Sequence, residues 1–149
     1  MAKVFAVART SQQAYAAATI ESLIQLTAAA NHRFAVKRYG VGSEGVVNTD
    51  QPAIMELLRQ TTAATGAALT LVHKKGGHPD TIETTALDAI TVEGTAGDIL
   101  RAHTLHPQAN FDLADSFSEE EEVAPLGRAA IRLTFPQAQT VSGYIDIEE

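Results

Sequence analysis

Between residues 128 and 147 the chain alternates apolar and polar side chains with a period of two. Ala129, Ile131, Leu133 and Phe135 share one side, and Arg128, Ala130, Arg132 and Thr134 the other. Successive side chains of a strand point to opposite faces, so this pattern demands a strand with one face buried. A turn over Pro136–Thr140 follows, and Val141, Gly143, Ile145 and Ile147 then repeat the alternation as a closing strand. Arg128 and Arg132 on the outer side read as solvent-facing, or as interface groups if acidic residues pair with them.

The rest of the chain carries the same signature more weakly. Residues 3–8 read as a short strand, and RTSQQAYAAAT (9–19) as a loop or one or two helical turns. From Ile20, one face carries Ile20, Ser22, Ile24 and Leu26, the other Glu21, Leu23 and Gln25. In RFAVKRY (33–39), Phe34 and Val36 are expected inward, with Arg33, Lys37 and Tyr39 outward. These two strands are expected to pair through the TAAANH connection. Thr81–Thr91 alternates poorly, whereas DILRAHTLH (98–106) is a good strand. Phe111, Leu113 and Phe117 alternate with Asp112 and Ala114.

The stretch from Pro52 to Val72 is ambiguous. Asp50 and Pro52 resemble an N-cap and a first-turn proline, and Ile54, Leu57 and Leu58 recur at helical spacing. Ala53, Met55 and Leu57 also alternate with Glu56 and Leu58, and a threonine- and glycine-containing run follows. As strands, AIMELLRQ and ALTLV form the two arms of a central hairpin.

Residues 40–45 match G-x-G-x-x-G. A dinucleotide site needs a helix to open at the last glycine, so that its N–H groups meet a pyrophosphate. Here β-branched and turn-forming residues follow instead, which favours a plain glycine-rich turn. HKKGGHPD (73–80) is a basic loop without phosphate-cradle spacing. His73 and His78 become a metal pair only if that loop folds back. His103 and His106, three apart, point to opposite faces of a strand. Ser118–Glu122 holds four adjacent carboxylates and is expected to be a solvated loop; the alternative is a contact for a basic partner surface or a loose calcium site, though no calcium-loop ligand spacing is present.

Composition removes several function classes. There is no cysteine, and the net charge is −7, which argues against a nucleic-acid surface. No G-x-S-x-G elbow or H-E-x-x-H motif occurs. Aromatics are 5%, and Trp is absent, which weakens carbohydrate and single-strand stacking roles. The apolar run in MAKVFAVA is too short for a secretory core or a membrane span. The expectation is a soluble, cytoplasmically made product. No catalytic, cofactor-binding or metal-binding residue is assigned, and no enzymatic activity, nucleic-acid partner or membrane partner is expected.

Three stretches carry a family resemblance: LRQTTAATGAALT (58–70), LRAHTLHPQA (100–109), and IRLTFPQA with VSGYI (131–145). They resemble a group of small bacterial and phage proteins of β-sandwich type, over most of the chain from about residue 20. That resemblance implies a strand over 53–60. Strand count and turn spacing together give an all-β class, a single jelly-roll-like β-sandwich of about eight antiparallel strands. Residues 1–149 are then one domain, with 1–19 an N-terminal arm. The resemblance further implies a structural virion protein, most readily a capsid decoration protein that binds an assembled shell as a homotrimer. Its partners are then viral capsid or tail proteins and its location the virion. The alternatives are a tail or neck component, or a cupin-like metal- or ligand-binding protein using His73, His78, His103 and His106. The acidic run 119–122 departs from the family pattern.

Overall fold

The computed structural model describes residues 3–44, 51–106, 110–114 and 120–149. Among these residues there is no helix, and the strands are β1 (Phe5–Arg9), β2 (Gln13–Tyr15), β3 (Ile20–Thr27), β4 (Phe34–Glu44), β5 (Ala53–Gln60), β6 (Thr65–Leu69), β7 (Val72–His73), β8 (Thr85–Val92), β9 (Ala96–Leu105), β10 (Phe111–Ala114), β11 (Glu121–Val123), β12 (Arg128–Thr134) and β13 (Gln139–Glu148). Thirteen strands replace the expected eight or so, because several pieces are only two to five residues long. All pairings are antiparallel. One sheet has the order β10-β4-β13-β1-β7, with β11 on β4 and β2 on β13; the other runs β6-β8-β3-β12-β5-β9.

The inward faces of both sheets supply a single apolar cluster, which includes Ala6, Ala8, Phe34, Val36, Val141, Ile145 and Ile147 from the first and Leu26, Met55, Leu57, Ile131 and Leu133 from the second. Ala129, Ile131, Leu133 and Phe135 are all buried, as their alternation requires. Segment 53–60 is strand, and Ala53, Met55 and Leu57 are its buried side. Residues 5–9 lie between β13 and β7 and 13–15 lie on β13, so they belong to the sheet instead of forming an arm.

Two β-bulges correct the face assignments. Along β3–β12 the register steps from Ile131↔Ile24 to Arg132↔Ser22, leaving Leu23 as the extra residue. Leu23 and Ile24 are therefore both buried in the core. On β4 the register against β13 steps from Asp146↔Arg38 to Ile147↔Val36, so Lys37 is extra. Alternation restarts after a bulge. Tyr39, expected outward, is fully buried for that reason.

Pairing differs from the expected hairpins. β3 and β4 lie in different sheets, and β5 and β6 are not partners. Segment 53–69 instead runs antiparallel to 85–105, with β5 on β9 and β6 on β8. At the crossing, Thr61 N donates to Thr95 O at 2.9 Å, which keeps the ribbon continuous. One half of the ribbon joins the sheet through β5–β12 and the other through β8–β3. Beneath the crossing, Ser22 donates from N and Oγ to Glu93 at 2.7 and 2.6 Å, Gln60 donates to Ser22 Oγ at 3.2 Å, and Ala64 N donates to Gln25 Oε1 at 2.9 Å. Gln25 also donates to Gln60 Oε1. Buried amides need such partners. A Cβ on Gly94 would lie 2.6 Å from Thr62 O, so only glycine lets the two crossing strands approach this closely. Residues 40–43, expected as a turn, continue β4 as strand, while the last glycine of that motif, at 45, lies outside the described residues.

Candidate functional site

The four histidines do not converge. His73 closes β7, and the following loop folds back to stack His78 on it, with ring centroids 5.5 Å apart and planes at 13°. The basic segment that follows β7 is a largely exposed loop. His78 Nδ1 accepts from Asp80 N at 3.3 Å. His103 sits elsewhere, between the sheets, with Nε2 3.0 Å from the buried Tyr39 hydroxyl and its ring 4.6 Å from Phe111. His106 is exposed beyond β9. Among the described residues no group of three histidine or acidic side chains is placed to hold a metal ion. No helix among them is long and apolar enough to cross a membrane.

The acidic run is not a solvated loop over its described part. Glu121–Val123 is strand β11, paired with β4. Each carboxylate meets a base: Glu120 pairs with Lys37, Glu121 lies 3.5 Å from Arg101, and Glu122 lies 3.3 Å from Arg33. Neighbouring strands supply the compensating charges that a single-sequence reading could not place. Glu119 and Phe117 lie outside the described residues.

Lys37, the bulge residue, also lies 2.6 Å from Glu148, which in turn pairs with Lys3. Burial alone would raise the Glu148 carboxyl, but Lys3 and Lys37 outweigh it and hold the group below its ordinary range. Burial likewise opposes the charge on Lys37, and Glu120 and Glu148 more than compensate, holding it above the usual lysine value. A second cluster joins Arg38, Asp112 and Tyr144: Arg38 Nε donates to Asp112 at 2.8 Å, and the Tyr144 hydroxyl donates to the same carboxylate. The Arg38 hydrogen bond, then that of Tyr144, hold Asp112 down to about 2. Burial, then the bond to Asp112, push Tyr144 up to about 12. These clusters are closed ion pairs that fasten strands together.

An open cleft carrying three arginines lies at the end of the sandwich where β5 finishes and β12 begins. It is a cleft of about 870 Å³ lined by Arg33, Arg59 and Arg128, with Asp98 and Glu122 at its walls and the backbone of Thr61, Gly97 and Gly127 between them. No sequence signal marked it, since its arginines come from segments far apart and only assembly of both sheets brings them together. Arg128 was singled out, but as a solvent-facing group. Arg132, its companion, instead closes a two-pronged pair with Glu56 at 2.8 and 2.6 Å.

No family model, curated protein or solved structure matches the chain. Function therefore rests on the geometry and on the resemblance already given.

Proposed function

We propose that the protein is a structural component of a phage particle, a decoration protein that binds an assembled capsid as a homotrimer. The observation that carries this reading is the outer face of the β3–β12–β5–β9 sheet. Ile20, Thr134, Ile54 and Thr104 form one cross-strand row there, with Ile20 54% and Ile54 46% exposed. Ile99, on the same face beyond the Arg132–Glu56 pair, is 52% exposed. Large apolar side chains gathered on one sheet face are characteristic of protein–protein contact surfaces.

The ribbon of 53–69 against 85–105, wrapped across β3 and β12, supports a jelly-roll-like description of the sandwich. Its outermost strands, β6 and β9, present edges of the kind that assemblies cover. In this reading the protein is made in the host cytoplasm and resides in the virion, and its polar clusters rigidify a scaffold whose surfaces do the binding.

Light scattering on the purified chain tests the oligomer. A closed cyclic trimer gives about 47 kDa, three times the 15.8 kDa chain. A mass that stays at one chain over the full accessible concentration range contradicts the trimer.

A further inference from the structure

The arginine cleft differs from every other charged cluster described above. Arg38 and Arg132 are each committed to one carboxylate by two-pronged contacts. The cleft arginines hold weaker partners. Arg33 reaches Glu122 at 3.3 Å with both side chains more than 60% exposed, and Arg59 is 3.9 Å from Asp98, itself 84% exposed. Arg59 also donates to the Glu122 carbonyl at 3.3 Å. Arg128 donates to Thr61 O at 3.4 Å, while its buried Nε has no acceptor among the described residues. The buried Nε is closed to the cleft, so the groups a ligand meets there are the outer guanidinium nitrogens, and a guanidinium fork is shaped for a carboxylate or phosphate.

We infer that this cleft is a binding site for a carboxylate-bearing extended peptide segment of a partner protein. Three arginines line one concavity in a chain whose net charge is −7. Two further features favour peptide over phosphate or nucleic acid. Asp98 and Glu122 line the cleft beside the arginines and repel a dense run of phosphates more strongly than a single side-chain carboxylate. The turn that walls the cleft places Leu126, between the lining residues Pro125 and Gly127, in the left-handed region at φ 59° and 62% exposed. Leucine rarely adopts that conformation, and its exposed side chain, which does not itself line the cleft, stands beside it for the apolar neighbour of an acidic residue. The inference goes beyond the particle role and stands without it.

The test uses the full chain, ¹⁵N-labelled, titrated separately with a blocked tetrapeptide of alternating glutamate and leucine, its glutamine counterpart, sodium phosphate and a thymidine oligonucleotide. The acidic peptide is expected to shift the Nε–H signals of Arg59 and Arg128 and the amides of Thr61, Gly97 and Gly127 saturably, and less so at high salt. The glutamine peptide should leave them in place. Arg59→Gln, on a half-exposed position that should not disturb folding, is expected to weaken binding about tenfold, the loss of one charge-assisted contact. Lys75→Gln, outside the cleft, should leave it unchanged. Phosphate or oligonucleotide shifting these signals while the peptide does not would overturn the peptide assignment. Silence from all four probes, or undiminished binding by Arg59→Gln, would overturn the site.

Discussion

Gly143→Ala is expected to destabilise the protein by about 2–3 kcal/mol in urea unfolding, a large effect for one methyl group. Gly143 lies in the middle of β13 on the inward face. A Cβ there would sit 2.5 Å from Leu23 Cδ2 and 2.8 Å from the Gly40 carbonyl oxygen. Leu23 is the bulged residue of β3, fully buried, so its methyl groups fill the space that glycine leaves in the opposite sheet. Leu23→Ala alone should cost about 2–4 kcal/mol through lost burial and the cavity left behind. The two changes combined should cost less than their sum, because the smaller residue at 23 relieves part of the overlap. Relief is incomplete, since the Gly40 oxygen is backbone and cannot rotate away. Strict additivity in this double-mutant cycle would show that the knob and its socket do not set the sheet-to-sheet fit.

The second large effect belongs to Lys37. Its side chain is 15% exposed, between Glu148 at 9% and Glu120 at 16%. Lys37→Met keeps the stem and removes the charge, leaving two largely buried carboxylates without this partner, at a cost of about 3 kcal/mol near neutral pH. The pH dependence has a definite sign. Glu148 titrates lower in the folded protein than its ordinary value of 4.5, so its ionised form stabilises the fold above that value. That contribution is lost as pH falls from about 4.5 through the depressed folded value. In Lys37→Met the depression is weaker, so stability should decline less steeply over this acidic window and the gap from the parent should narrow. Asp112, held at about 2 from 3.8, adds an acid loss of the same sign in both proteins. A gap that stays constant from neutral to acidic pH would contradict the pairing.

Much of the scaffold was legible because strand alternation is a local property. The inward set of 129–135 and of 141–147 could be read directly, whereas over 53–60 helical and strand spacings compete, and the strand there was implied by the resemblance and not by its own periodicity. Pairing was not legible. The β3 and β4 segments look like a hairpin, yet each finds partners in a different sheet, since β13 and β12 from the far end of the chain compete successfully for them. Bulges were invisible too: nothing local marks Leu23 or Lys37 as an extra residue, and only the partner's register makes Tyr39 face inward. The acidic run illustrates the limit for sites. Its four carboxylates read as solvated because the bases that meet those at 120–122, Lys37 and Arg101 on other strands and Arg33 just ahead of β4, are distant in sequence. The arginine cleft escaped for the same reason.

The most direct test of a structural role in a phage particle is the protein content of purified particles. Particles should be banded from a host that carries the encoding genome and analysed by quantitative mass spectrometry against the major capsid protein. The account predicts this chain in the banded particles, at a fixed ratio to the capsid protein that survives repeated banding. A chain abundant in the lysate but absent from the particles would contradict it.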